Sequence, residues 1–594
     1  MHSEADGGPH RQPGLRDLRL RLASAQGLAT PGAGSVLRTA TTDRTLTFLR
    51  SLWDAATEGH AQPIHVGSGV ALACTGSLAR GDGGPLSDLD LVLLHDGRAL
   101  AAGDLAELAD RLWYPLWDSG VGLDHSVRSP AQCRQVASGD LAVAAAMLDL
   151  SPVAGDETLV SAVSKQLAED WRAQSRKRLP ELADSLTERH SSAGDLSQSL
   201  QPDLKEARGG LRDMVVLQAL TRSWLADRPH GAPDRAYAQL LDVRDALHVV
   251  TGRSRSILAR EDQQPVAELL GLEDVDELLT VVSRSARVVH RALHTTLRSA
   301  LQSQQARVRR IGPRRPQLAP LGHGLYLHDG EVVLGRGSDL TDPLLVLRAA
   351  VAAAERQIPL GPATVANLAA RGAGLPVPWP AAARELLVQL LGSGEGLLEV
   401  WEALDQAGVV DGWLPAWAAV RSRPQRNGIH RHTVDRHLLE TVLHASRVGD
   451  PPARHDLLLV AALLHDIGKV RGAGDHSVAG EPIALAAVQR LGFPAGDAAV
   501  VARLVREHLT LITLATTRDP TDPATLAAAA DAVDGRPELV DLLAALTEAD
   551  ARAVGSKAWT PWRATLLHSL TGHLRAALGR GHDRPAEHVG TDVG

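Results

Sequence analysis

Covalent cross-links are almost excluded by composition, because 594 residues contain two cysteines, Cys74 and Cys133. Two thiols cannot build a disulfide framework, and a reducing cytoplasm is the expected setting. No uninterrupted apolar run approaches the roughly eighteen residues of a membrane-spanning helix, so no membrane span is expected. The first residues, Met-His-Ser-Glu-Ala-Asp, lack the basic and apolar character of a secretory signal. There is no excess of positive charge. The net charge of -8 gives no general footprint for nucleic acid, which makes an RNA or DNA partner unexpected. Lysine is rare among the basic residues, occurring only at 165, 177, 205, 469 and 557. Two of these, Lys205 and Lys469, fall inside the motifs described below.

What is present is 44% hydrophobic residues on a chain too long for one core, which predicts several globular domains. The chain is organised around the stretch Cys74 to Leu94. The apolar run Val70 to Cys74 predicts a buried strand leading to Gly76-Ser77. After a Gly/Pro/Ser-rich turn, Asp88 to Leu94 predicts a second strand. Alternation along a strand puts Asp88 and Asp90 on one side and Leu89, Leu91 and Leu93 on the other. Carboxylates held side by side repel unless a cation lies between them, and Mg²⁺ is bound by such pairs together with substrate phosphates. Gly76 allows close backbone approach to a triphosphate, Ser77 adds donors, and Arg80 adds a charge for phosphate oxygens. Gly-Ser, Arg and Asp-x-Asp in this order resemble the polymerase-β-type nucleotidyltransferases. That resemblance implies a third carboxylate on a neighbouring strand. Asp124, on a strand expected over Val121 to Arg128, is the choice over Asp140 and Asp149.

Helical periodicity is expected over Thr42 to Ala56, Leu105 to Leu112 and most of Ser161 to Gln305. Near the start of that last region lies Pro202-Asp-Leu-Lys-Glu-Ala-Arg-Gly-Gly-Leu-Arg-Asp213. It is either a solvated helix start or a turn presenting Lys205, Arg208 or Arg212 to a nucleotide cleft. A basic, proline-rich linker is expected over Arg307 to Pro320, a hairpin around Asp329-Gly330, and helices over 343–354 and 381–391.

Histidines accumulate beyond Pro424. Thr433 is a candidate N-cap for a helix with His437, Leu438, Thr441 and His444 on one side. The apolar stretch Leu457 to Leu464 predicts a buried helix ending in His465-Asp466, with Gly468 as terminator. Adjacent His and Asp there can reach one metal ion, and without a cation the Asp charge would be buried uncompensated. Asp475-His476, Glu507-His508 and Thr547-Glu-Ala-Asp550 follow. Imidazole and carboxylate together suit Mn²⁺, Fe²⁺ or Zn²⁺ as well as Mg²⁺. The arrangement resembles the HD superfamily of metal-dependent phosphohydrolases. The resemblance implies His437, His465, Asp466 and Asp550 as core ligands and His476 and His508 as second-metal ligands or phosphate contacts. His430, His432 and His444 are taken as structural.

The pairing of these two parts, with Asp203-Leu-Lys-Glu and Gly-Gly-Leu-Arg-Asp213 between them, resembles the bifunctional uridylyltransferase/uridylyl-removing enzymes of the PII nitrogen-signalling protein. The run Pro424 to His437, and Leu546 to Asp550 followed by Trp559 and Trp562, support the likeness. It implies a multidomain, mostly helical α+β protein. The expected parts are a flexible N-terminal tail (1–35), a polymerase-β-like nucleotidyltransferase domain (36–155) and a helical PII-uridylyltransferase-type domain (156–305). A linker with a small helical region (306–420), an all-α HD domain (421–575) and a tail (576–594) complete the chain. The implied activities are transfer of UMP or AMP from UTP or ATP to a tyrosine of a PII protein, and its hydrolytic removal. Mg²⁺ is the implied ion, with Mn²⁺ suiting the HD site. Two departures from the family pattern stand out. Ala207-Arg208 replaces the usual Gly-Pro, and the glutamine-sensing ACT domains are not expected in this shortened chain. The other readings are a transfer-RNA nucleotidyltransferase-like enzyme and a non-catalytic PII-binding regulator.

Overall fold

A computed structural model describes residues 14–58, 67–308, 318–425, 432–449 and 451–582. It divides into two compact units, Met1–Ile311 and Gly312–Gly594.

In the first unit, four strands form one sheet: β1 (Val70–Thr75), β2 (Leu89–His95), β3 (Leu123–Arg128) and β4 (Ser151–Gly155), in the order β3-β2-β1-β4. The connection over 76–88, a one-turn helix and a loop, brings β2 back antiparallel to β1, whereas a helical crossover between β2 and β3 makes that pair parallel. The central strands β1 and β2 are covered on both faces, which explains why they are almost continuously apolar, whereas the edge strand β3 is not. Leu89, Leu91 and Leu93 pack into one core with Trp53, Leu108 and Leu112. Val92 and Leu94 pack into the other with Cys133, Val160 and Val163. Trp53, Leu108, Leu112, Val160 and Val163 come from α2 (Ala33–Thr57), α4 (Ala102–Asp118) and α5 (Glu157–Ala193), and Cys133 from a further helix, Pro130–Gly139; the short α3 (Gly76–Arg80) follows β1 directly. Both cysteines are buried and free.

Of the flexible tail expected over 1–35, residues 1–13 lie outside the described residues and the rest is corrected. Residues 15–26 form helix α1 (Leu15–Gln26), and α2 begins at Ala33. Leu15, Arg19 and Ala23, spaced by four, are all buried. The Gly/Pro/Arg composition obscured a helix that is held by what it touches. Three further helices of this unit, α6 (Leu211–Arg222), α7 (Ala232–Thr251) and α8 (Val275–Val308), share a core that also takes in Leu28 and Leu37.

The second unit opens with a small meander, β5 (Ala319–Gly322), β6 (Leu325–His328) and β7 (Glu331–Leu334). The β6–β7 turn has Asp329 and Gly330 both at positive φ, 47° and 80°, as a tight two-residue hairpin requires. One continuous core runs from Leu325 through Trp401 and Trp417 to Leu574, so residues 318–420 share their interior with the helices that follow. Those helices include α9 (Val434–Ala445), α10 (His455–Leu464), α11 (His476–Arg490), α12 (Ala495–Glu507), α13 (Thr510–Thr517) and α14 (Pro537–Val554). Helix α10 is buried on every side from Leu457 to Leu464, as its unbroken apolar sequence demands. His430, most of the expected 307–320 linker and residues 583–594 lie outside the described residues.

Candidate active sites

In the first unit the β2–β3 register sets Asp90 directly opposite Asp124, on strands running the same way, so both side chains leave the same face. Asp88 stands just before β2. Two glycines keep room for these carboxylates. A Cβ on Gly122 would lie 2.1 Å from Asp88 Oδ1, and one on Gly76, whose φ is +61°, would lie 2.3 Å from Asp90 Oδ2. The Asp90 carboxyl is pushed above its ordinary value, first by burial and then by the charges of Asp124 and Asp88; Lys205 and Arg80 oppose the shift. Mutual repulsion of this kind is what a divalent cation relieves, so the donor set fits one. The competing acids are otherwise engaged: Asp140 caps a helix at the Val143 amide and Asp149 accepts from Arg80 and Arg222.

Arg80 is less free than its sequence position suggests. Its Nε donates to Asp82 and its Nη1 to Asp149, both at 2.8 Å. Asp82 also accepts from the Tyr237 hydroxyl at 2.6 Å. Its carbonyl accepts from Arg244 at 2.7 Å. From α1, Arg19 donates to the carbonyls of Gly84 (2.7 Å) and Ser87 (3.0 Å). The loop between Gly76-Ser77 and Asp88 is thus clamped by side chains from α1 and α7. None of these clamping residues was foreseen from the sequence, since Tyr237 and Arg244 lie 155 and 162 positions from Asp82.

Within the 202–213 motif, Asp213 is fully buried. It accepts from the Gly209 amide at 2.7 Å and from Arg189 at 2.5 Å, and it contacts His190 at 2.9 Å. Burial alone would raise this carboxyl, but His190 and Arg189 hold it below the usual range. Gly209 has φ +85°, and a Cβ there would lie 2.4 Å from the Ala286 carbonyl oxygen. The motif is therefore first a rigid turn. Of its three basic residues, Arg208 lies 3.9 Å from Asp195 and Arg212 3.3 Å from Glu206. Lys205 is the one whose charge bears on Asp90.

In the second unit six side chains converge. His437 comes from α9, His465 and Asp466 from the end of α10, His476 from the start of α11, His508 from the end of α12 and Asp550 from α14. Their ligand atoms form two groups, His437–His465–Asp550 and Asp466–His476–His508, each within 4.8 Å. Asp466 faces both groups. Its Oδ2 lies 3.5 Å from Nε2 of both His437 and His465, and its Oδ1 lies 3.4 Å from His476 Nε2 and 3.6 Å from His508 Nε2. That Oδ1 is buried without a hydrogen bond among the described residues. Nδ1 of His465 and of His508 contacts a backbone carbonyl, of Ala462 (3.0 Å) and Val505 (2.7 Å), which as the protonated nitrogen leaves Nε2 as the lone-pair donor. An orphaned carboxylate oxygen facing imidazole Nε2 atoms fits a divalent metal.

The charges are consistent with that fit. Burial favours a neutral His465, but Asp466 and then Asp550 outweigh it and raise the ring to about 10. Burial would raise Asp466, yet His465 and Lys469 hold it well below the carboxylate range; Lys469 Nζ is 2.6 Å from its Oδ2. His508 is lowered to about 4 by burial and by the nearby His465 charge. Gly468, expected as a helix terminator, has a different reason: a Cβ there would lie 2.1 Å from the His476 carbonyl oxygen, so it lets α11 approach the turn that carries His465 and Asp466.

A small sheet carrying three carboxylates and a helical centre of histidines and aspartates make this a mostly helical α+β enzyme of two parts, a nucleotidyltransferase and an HD-type hydrolase. The HD domain family matches residues 434–536, and the family described as GlnD PII-uridylyltransferase matches 177–297. A bifunctional uridylyltransferase/uridylyl-removing enzyme of Streptomyces coelicolor is 48% identical over 97% of this chain and 69% of its own length. Proteins of the same description from Mycobacterium tuberculosis and Corynebacterium glutamicum are 40% and 36% identical, over 64% and 72% of their lengths. The chain belongs to the family of bifunctional uridylyltransferase/uridylyl-removing enzymes. Asp550 lies beyond the HD match and Asp88, Asp90 and Asp124 lie outside both matches, so these four rest on geometry.

Proposed function

We propose that the first unit transfers a uridylyl group from UTP to a tyrosine of a PII signal protein, and that the second unit removes it by hydrolysis. The uridylyl group is preferred to adenylyl because the relatives are uridylyltransferases by description. The observation that carries the reading is the presence in one chain of two acid-rich centres of different donor type, all oxygen in one and imidazole with carboxylate in the other. Asp88, Asp90 and Asp124 would hold Mg²⁺; the six residues of the second centre would hold Mn²⁺ or a similar ion, with Asp466 shared between its two groups. When bound, such ions neutralise phosphate charge and lower the pKa of water.

The chain's own groups do the rest. In the first centre, Gly76 and Ser77 offer backbone and hydroxyl donors to the triphosphate. Arg80, fixed by Asp82 and Asp149, and Lys205 present positive charge toward the leaving pyrophosphate. In the second, Lys469 holds Asp466 in place, and the carbonyl partners of His465 and His508 fix their rings.

The test is incubation of the purified chain with a PII protein, Mg²⁺ or Mn²⁺ and UTP, with ATP in parallel, read by intact mass. A gain of one uridylyl group, absent in Asp88→Asn and reversed on removing nucleotide in all but His465→Ala, is the expected result. No gain with either nucleotide would rule out the acceptor.

A further inference from the structure

The second centre opens beside His476 into a recess of about 720 Å³, whose walls come from the 474–478 turn and from α12 and α13. His476 belongs both to this wall and to the Asp466–His476–His508 group. We infer that the recess is the nucleoside subsite of the removal reaction, receiving the base and ribose of the phosphodiester while its phosphorus lies at the histidine–aspartate centre. The inference rests on the removal activity proposed above.

Three features select a nucleoside. First, two large apolar side chains are exposed at the wall, Val478 (47%) and Leu509 (40%). They offer a face to a planar base. Second, the polar groups are mostly acceptors. The Thr513 hydroxyl donates to the Leu509 carbonyl at 2.7 Å and that of Thr510 to Glu507 at 2.6 Å. A hydroxyl that has spent its proton can only accept further bonds. With Glu507 they suit the imide N–H of a pyrimidine and the hydroxyls of a ribose. Third, the one guanidinium there, Arg506, is paired with Glu481 at 2.7 Å and lies 3.6 Å from Glu507, while Asp475 adds another negative charge. The recess therefore does not attract a phosphate, which leaves that group at the centre where cations would bind. A pyrimidine nucleoside enters; its phosphate does not follow it in.

The experiment uses the full chain with Mn²⁺ and two wall substitutions at exposed positions outside the ligand set, Thr513→Trp and Leu509→Asp. UMP binding is measured by equilibrium dialysis, and hydrolysis is followed with uridylylated PII protein and with bis(4-nitrophenyl) phosphate, a diester with no nucleoside. The expected result is UMP binding weakened about tenfold or more by each substitution, equivalent to about 1.4 kcal/mol. KM for the uridylylated protein should rise in parallel, and hydrolysis of the small diester should stay within about twofold of the parent. UMP binding that is absent in the parent, or unchanged in both variants, overturns the subsite. So does an equal loss on both diesters. Failure of the removal reading is separately visible, because the parent protein would then cleave neither diester whatever UMP does.

Discussion

At the scale of single residues, the sharpest demand falls on Gly76. Its φ of +61° is in the left-handed region, and any Cβ would strike the Asp90 carboxylate. Gly76→Ala is expected to cost about 1–3 kcal/mol of stability through strain, and to abolish transfer while leaving removal intact. Thermal denaturation and the intact-mass assay measure the two effects separately. His248 makes a different prediction. Burial, reinforced by the charges of Arg244 and Arg19, lowers this ring to about 3. The folded chain thus keeps it neutral where the unfolded chain, with an ordinary value near 6.5, takes up a proton. Its contribution to stability is complete above about pH 6.5 and is lost as pH falls toward 3, at about 1.4 kcal/mol per pH unit. Urea midpoints at pH 7, 6 and 5 should show this slope in the parent and a shallower one in His248→Phe.

At the scale of elements, what could be foreseen followed the range of the interactions. Asp88 and Asp90 were legible because strand alternation is a local pattern; Asp124 was chosen through resemblance to a family, and the register places it opposite Asp90. The buried α10 was legible because nothing else accommodates eight consecutive apolar residues. The helix at Leu15–Gln26 was missed, since its three buried residues include an arginine whose partners, the carbonyls of Gly84 and Ser87, are more than sixty positions away. Gly468 was noticed for the wrong reason, because its necessity arises from an approaching helix and not from its own backbone angle. The convergence of His437, His465, Asp466 and Asp550 was anticipated through resemblance to a family; no local spacing would have joined Asp550 to His437, which lie 2.9 Å apart. The Asp82 cluster yields an element-scale prediction. Tyr237→Phe removes one hydrogen bond to a carboxylate, worth about 1.5–3 kcal/mol. It should raise KM for UTP more than it lowers kcat, because it loosens Arg80 and leaves the three acidic residues untouched. Steady-state transfer kinetics decide this, and an equal fall in kcat alone would argue that Arg80 needs no such support.

At the scale of the whole molecule, the two acid-rich centres lie in separate units, each with its own core, and the two proposed chemistries of opposite sense would be separated with them. Substitutions should therefore divide cleanly. Asp90→Asn is expected to remove transfer and spare removal, and His465→Ala the reverse, with each residual rate within about threefold of the parent, as independent sites allow. Initial rates of both reactions on each variant provide the check.

The clamp on residues 80–87 has a consequence for the order in which the chain is made. All four strands of the sheet have been made once Gly155 has left the ribosome, and Asp88, Asp90 and Asp124 with them, although Val160 and Val163, which cover one face, come later. The phenol and guanidinium that fix Asp82, from Tyr237 and Arg244, do not yet exist. A nascent chain of that length carries the acids but leaves the loop over residues 80–87 unsecured. Competence for transfer thus arrives late, with the emergence of α7, and a fragment ending at residue 155 would be a transferase in outline only.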